Sequence, residues 1–142
     1  MYKKILVAVD GSPISAAAFR TASQQALAWG ADLHLVYVIE TGLFKGMPVD
    51  SNVEMICNML QTEGQNVVDN FVAAGERAGL TPTVHFEQGH AGDAIIAVAQ
   101  DIDADLIVIG PHGKSEIDRL LLGSVTSFVI SQSTTSVLVV RS

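Results

Sequence analysis

Short apolar runs alternate along this chain with longer stretches in which apolar residues recur every three or four positions. Short apolar runs are typical of buried β-strands, and the longer periodic stretches are typical of amphipathic helices. The pattern predicts five strands, at Lys3–Val9, Leu33–Val38, Thr83–Gln88, Asp105–Ile109 and Ser136–Arg141. It also predicts four helices, from Pro13 to about Trp29, from Ser51 or Asn52 to Gly79, at Asp93–Asp101 and at Ser124–Ser133.

The alternation of predicted strands and helices indicates the fold class. Strands that are separated by helices pair in parallel, with right-handed crossover connections. We therefore expect one α/β domain over residues 1–142, built on a doubly wound, Rossmann-like parallel sheet. The pattern alone leaves two strand orders open, 3-2-1-4-5 and the flavodoxin-like 2-1-3-4-5.

Cap and turn residues mark several of these boundaries. Ser12 is a favourable N-cap, and Pro13 suits the first position of a helix. Gly30 is a typical C-terminal stop. Glycine and proline residues between Glu40 and Asp50 predict a loop there.

Composition narrows the classes of function. With 142 residues, 49% of them hydrophobic, the chain can build a packed core. Its formal net charge of −7 repels phosphate backbones, so nucleic-acid binding is not expected. No apolar run reaches the ~18 residues of a membrane span. The single cysteine, Cys57, cannot form an intramolecular disulfide, which is consistent with a reducing cytoplasm.

Glycines cluster where the fourth predicted strand ends and where the last predicted helix begins. The sequence Gly110-Pro-His-Gly113 is followed, after nine residues, by Gly123-Ser124. Backbone N–H groups converge on anions at such positions, and glycine lets the main chain approach a ligand closely. The arrangement predicts a phosphorylated ligand. It is not a P-loop, because that motif requires a glycine at position 108, which is Val108.

The pattern G-x-x-G-x9-G-[ST] resembles the ATP-binding signature of the universal stress proteins. The similarity extends to Ile5–Ser12, Ala104–Gly110, Leu120–Val125 and Val137–Arg141, and covers residues 3–41 and 83–141. The resemblance implies the strand order 3-2-1-4-5, in which the ends of the first and fourth strands meet at one crevice. It also implies an ATP-binding regulatory protein of the cytoplasm.

Two groups of residues make up the predicted site. The glycine loops and the start of the last helix are expected to bind phosphate through Gly110, His112, Gly113, Lys114, Gly123, Ser124, Val125 and Thr126. The strand ends are expected to bind the nucleoside through Ala8, Val9, Asp10, Ser12, Val38 and Ile109. Among these, Ala8 and Val38 resemble family positions that wall the adenine.

Several of these residues have a purely structural alternative. Gly110 and Gly113 could form an ordinary strand-to-loop turn, and Ala8 and Val38 on their own would be core residues. Asp10 should lie at the nucleoside end, because a carboxylate repels phosphate, and the resemblance agrees. It could instead be a turn residue that accepts hydrogen bonds from the N–H groups of Gly11 and Ser12. Ser124 could be only an N-cap.

The charged residues between the two glycine pairs raise the possibility of a metal ion. Glu116 and Asp118 lie in this stretch together with Arg119. If the two carboxylates face the phosphates, a divalent cation such as Mg²⁺ is required.

No residue stands out as a general base, and no catalytic residue is assigned. A slow Mg-dependent ATPase or nucleotidyl-transfer enzyme remains an alternative, as does a dimeric interaction protein that binds no nucleotide. The strand Ser136–Arg141 would be an exposed apolar edge. In the family the corresponding strand commonly pairs across a two-fold axis, which implies a homodimer, and a further protein partner is expected but not identified.

Overall fold

The computed structural model describes residues 2–41, 50–113 and 122–141. Its elements follow the predicted alternation of strands and helices. In chain order they are β1 (Lys4–Ala8), α1 (Pro13–Trp29), β2 (Asp32–Glu40), α2 (Ser51–Arg77), β3 (Thr83–Gly89), α3 (Ala91–Asp101), β4 (Leu106–Ile109), α4 (Ser124–Gln132) and β5 (Ser136–Val139). No helix in these ranges is long and apolar enough to cross a membrane.

The five strands form one parallel sheet in the order β3-β2-β1-β4-β5. This confirms the order 3-2-1-4-5, which the apolar pattern alone left open. The chain winds from β1 outwards through β2 to β3, and then crosses back to β4 on the other side of β1. The winding therefore reverses between β1 and β4, and the crevice at such a reversal is where doubly wound sheets bind ligands.

Helices cover both faces of the sheet, so the central strand is buried on each side. Ile5 and Val7 belong to the apolar cluster beneath α1 and α2. Leu6 and Ala8 belong to the cluster beneath α3 and α4. Apolar residues are thus required on both sides of β1, which explains its continuous apolar run.

Helix α1 begins and ends where its cap residues predicted. The Ser12 hydroxyl accepts a hydrogen bond from the N–H of Ser15, 3.2 Å away, and Pro13 occupies the first turn. Gly30 ends the helix in the left-handed conformation, with φ of 64°. Both boundaries depend on residues within a few positions of the helix end, and the sequence can therefore predict them.

The other helices differ from prediction at their ends. Asp50, not Ser51 or Asn52, caps α2 by accepting from the N–H of Val53 at 2.9 Å, and this helix ends at Arg77 rather than at Gly79. α3 begins at Ala91, two residues before the predicted Asp93.

The predicted strands also differ at their ends. β2 continues through Glu40, which was predicted as loop, and the rest of that loop, residues 42–49, lies outside the described residues. β5 ends at Val139 rather than Arg141, and its last register partner on β4 is Ile109.

Candidate functional site

A cavity of about 190 Å³ lies at the carboxyl ends of β1 and β4, where the winding of the sheet reverses. Residues from the beginning and the end of the chain meet in it. Asp10 follows β1, whereas Gly110 and Gly113 follow β4. Ser124, Val125 and Thr126, in the first turn of α4, line it as well.

Hydrogen bonds with Ser12 and Ser15 hold Asp10 in position. Its Oδ1 accepts hydrogen bonds from the N–H of Ser12, at 2.9 Å, and from the Ser12 hydroxyl. Its own N–H donates to Ser15 Oγ at 3.3 Å. The turn interpretation of Asp10 is therefore confirmed for the N–H of Ser12, and the residue lines the cavity at the same time.

Gly113 brings the loop after β4 against the carboxylate of Asp10. A Cβ at Gly113 would lie 2.8 Å from Asp10 Oδ2, closer than real Cβ contacts allow. Only glycine lets the two segments approach this closely without displacing the carboxylate. Beside it, His112 is half-buried, and its Nδ1 lies 3.3 Å from the Gly113 carbonyl oxygen.

Two hydrogen bonds attach α4 to the loop after β4. The Thr126 hydroxyl donates to the Gly110 carbonyl at 2.7 Å, and Thr126 is only 2% exposed. The Gly123 N–H donates to the Pro111 carbonyl at 2.7 Å. A Cβ at Gly123 would lie 3.1 Å from the Cα of His112, so this contact is also a close backbone approach.

The first turn of α4 faces the cavity without a side-chain cap. The N-cap is Gly123, which has no side chain to offer, so the interpretation of Ser124 as N-cap is wrong. Ser124 is the first residue of the helix and is exposed. The opening N–H groups of a helix lack intrahelical partners and carry partial positive charge, and here they are next to an open cavity.

Four further residues line the cavity and were not predicted: Ser15 of α1, Val36 of β2, and Ala91 and Ile95 of α3. Val36 precedes Val38 by two positions and so shares its face of β2, a periodicity that could have found it. The helix predicted from Asp93 did not include Ala91, whereas Ile95 lay within the predicted helix but was not assigned to the site.

The structure brings most of the predicted site residues together around this cavity. Twelve of them line it: Ala8, Val9, Asp10, Val38, Ile109, Gly110, His112, Gly113, Gly123, Ser124, Val125 and Thr126. Ser12 does not line it, because it is buried beneath Asp10 as the cap of α1. Lys114 lies outside the described residues. Contact of any of them with a nucleotide stays a prediction.

The described ranges contain no group of three or more histidine, cysteine, aspartate or glutamate residues that could hold a metal ion. Glu116, Asp118 and Arg119 lie outside those ranges, and the Mg²⁺ prediction depends on the first two.

A parallel sheet of this order, with a cavity at its switch point, defines a doubly wound α/β domain. A sequence model described as the Universal stress protein family matches residues 1–141. The chain therefore belongs to the universal stress protein family.

Similar proteins agree with this assignment. The chain is 34% identical, over 141 residues, to universal stress protein MJ0531 of Methanocaldococcus jannaschii, covering 99% of this chain and 83% of that protein. The solved structure of MJ0577 from the same organism superposes with a TM-score of 0.88 at 31% identity, covering 100% of this chain and 97% of the other. A universal stress protein in complex with cAMP superposes with a TM-score of 0.75 at 27% identity, covering 99% and 97% of the two chains.

Proposed function

We propose that this protein is an ATP-binding universal stress protein, a cytoplasmic regulatory module whose state depends on nucleotide occupancy. The observation that carries the proposal is the first turn of α4, whose N-cap Gly123 has no capping side chain, beside a cavity edged by Gly113 and Gly123. A Cβ would lie 2.8 Å from the Asp10 carboxylate at Gly113 and 3.1 Å from the His112 Cα at Gly123. A relative of the same fold that was solved with cAMP supports an adenine nucleotide as the ligand class.

Charge sets the direction in which a nucleotide would lie. The N-terminus of α4 carries about half a positive charge and favours phosphate. Asp10, which follows β1, repels phosphate and would accept hydrogen bonds from a base or ribose. The apolar residues Val38 and Ile95 would face the base. Three or four charge-assisted bonds of roughly 1.5–3 kcal/mol each support affinity of about micromolar after binding entropy is subtracted.

Calorimetry with ATP on the full chain tests the proposal. We expect micromolar binding that Gly123→Val abolishes, because the new side chain fills the approach to His112. Ser127→Val is the matched control, since Ser127 is exposed on the same helix and does not line the cavity. A flat titration, together with no adenine nucleotide in the mass spectrum of freshly purified, denatured protein, would refute the function.

The length of the phosphate tail and the need for Mg²⁺ are part of the same proposal. If the glycine loops and the first turn of α4 bind all three phosphates, AMP binds more weakly than ATP. If Glu116 and Asp118 bind Mg²⁺ beside those phosphates, EDTA weakens ATP binding and leaves AMP binding unchanged. Equal affinity for AMP, ATP and cAMP would instead mean that base and ribose dominate.

We further propose that the protein is a homodimer that pairs through β5. This strand is the last of the sheet, its residues alternate between exposed and half-buried, and Leu138 is 36% exposed. An apolar sheet edge of this kind aggregates unless another chain covers it. Sedimentation should show a dimer that Leu138→Lys dissociates, and a wild-type monomer at micromolar concentration would contradict it.

A further inference from the structure

The first half of α2 is poorly covered by the rest of the molecule. From Ser51 to Glu63 the helix has no buried residue, whereas its second half is anchored by the buried Gly64, Val68 and Gly75. A helix in a folded protein owes most of its stability to packing of an apolar face. The first half has such apolar side chains but exposes them.

Three large apolar side chains lie on the outer side of this segment. Met55 is 60% exposed, Met59 is 67% exposed and Ile56 is 44% exposed. Met55 and Met59 are one turn apart and therefore adjacent on the helix surface. Together with Leu60 they line an open, shallow groove whose described lining residues all belong to α2. A contiguous exposed apolar patch indicates an interaction site, and methionine adapts readily to a partner's shape.

Among the described residues that line the groove, the charged ones are all acidic. Glu54 and Glu63 line it, and between Ser51 and Glu76 the chain has four acidic residues and no lysine or arginine. A second copy of this chain would bring the same carboxylates face to face, and each copy carries a net charge of −7. An anionic membrane surface would be repelled for the same reason. We therefore expect the binding partner at this groove to be positively charged.

We propose that the outer face of α2, defined by Glu54, Met55, Ile56, Met59 and Glu63, docks a basic amphipathic helix of a partner protein. Such a helix places its apolar face on the methionines and its lysine or arginine residues beside the two glutamates. The groove shares no lining residue with the cavity at the switch point. The proposal is therefore independent of nucleotide binding.

Fluorescence anisotropy on the full chain tests this with a defined probe, a labelled synthetic helix with leucine on one face and lysine on the other. We expect Met55→Gln/Met59→Gln to weaken binding by about tenfold or more, the loss typical of a hot spot. Glu54→Gln/Glu63→Gln should weaken binding and reduce its dependence on salt. Leu27→Gln is the matched control, because Leu27 is 51% exposed on α1, and it should have no effect.

Several results would overturn the proposal. One is no binding of the probe, and another is equal binding of a scrambled peptide of the same composition, which has no apolar face. A third is unchanged binding by both double variants while circular dichroism shows them folded. Sedimentation gives the remaining test: self-association that Met55→Gln/Met59→Gln abolishes would make a second copy the occupant. Gly123→Val should leave probe binding unchanged whether or not the protein binds nucleotide.

Discussion

Two buried hydroxyl groups, those of Ser12 and Thr126, form hydrogen bonds with segments that line the cavity. Ser12 links Asp10 to the start of α1, and Thr126 links α4 to the carbonyl of Gly110. A buried hydrogen bond whose donor is removed leaves its acceptor unsatisfied, which costs more than the bond itself contributes. Ser12 and Thr126 are therefore expected to stabilise the arrangement of the residues that line the cavity.

At Thr126, replacement by valine keeps the shape of the side chain and removes the donor. We expect Thr126→Val to lower the free energy of unfolding by about 1–3 kcal/mol, because the Gly110 carbonyl loses its partner in a buried setting. Urea unfolding measures this loss. The exposed Thr62 provides the control, since Thr62→Val in α2 should change stability little. Equal effects of the two substitutions would show that the Thr126 bond is unimportant.

The sequence indicated that glycines edge the site but did not predict the role of every polar residue. Gly113 and Gly123 were predicted to let the main chain approach a ligand; in the structure each lies against a neighbouring segment, and their contact with a ligand stays a prediction. Ser12 was predicted as both cap and ligand, and the structure shows only the cap. Whether a hydroxyl faces a helix end or a cavity depends on side-chain direction, which a sequence pattern does not contain.

Among the helices, α2 packs on the sheet through a glycine. A Cβ at Gly64 would lie 2.6 Å from Tyr37 Cε1 and 2.9 Å from Phe86 Cζ. The two rings are neighbours on β2 and β3, with centroids 5.4 Å apart. Glycine in a helix interior costs about 1 kcal/mol relative to alanine, so its presence here requires a packing reason.

We therefore expect Gly64→Ala to destabilise the protein in spite of the better helix propensity of alanine. Displacing the two rings should lower the free energy of unfolding by about 1–3 kcal/mol. Asn66→Ala, two residues further along, is exposed and should be neutral or slightly stabilising. Thermal or urea unfolding of both variants is the measurement. A more stable Gly64→Ala protein would mean that the rings move aside without cost.

Element boundaries were predictable where the cap is local, as at Ser12 and Gly30. The start of α3 was not, because its cap comes from a distant residue. The Glu40 carboxylate accepts a hydrogen bond from the N–H of Ala91 at 3.0 Å, across 51 positions of sequence. Only the pairing of β2 with β3 brings these residues together, so the apolar pattern alone gave a later start.

For the whole molecule, the histidine pair on β2 and β3 links stability to pH. His34 Nδ1 lies 3.0 Å from His85 Nε2. Burial, followed by the proximity of His85, lowers the pKa of His34 below its ordinary value of 6.5, with Asp32 opposing and Lys4 reinforcing this shift. The unfolded chain thus binds a proton here more readily than the folded one.

It follows that stability should be intact above pH 6.5 and should fall as the pH drops through the lowered pKa of His34. The urea midpoint, measured from about pH 7.5 to about pH 5.5, should decrease, and His34→Gln should reduce the decrease. His90→Gln is the control, since His90 is exposed at the start of α3. A His34→Gln profile that parallels the wild type would assign the pH dependence to other groups.

The order of the strands in the sheet could not be predicted from the apolar pattern alone. Alternation of strands and helices sufficed for a doubly wound sheet, but β1 and β4 become neighbours only through contacts between distant residues. The order came from the resemblance of whole segments to a family, and the structure confirms it.

The cavity joins Asp10, close to the start of the chain, to Ser124, close to its end. A growing polypeptide on the ribosome therefore has no such cavity until α4 has been synthesised and β4 has paired with β1. Translation that stops early, or cleavage that removes α4, leaves a product without the lining residues Gly123, Ser124, Val125 and Thr126. A ligand of this cavity consequently distinguishes finished molecules from truncated ones.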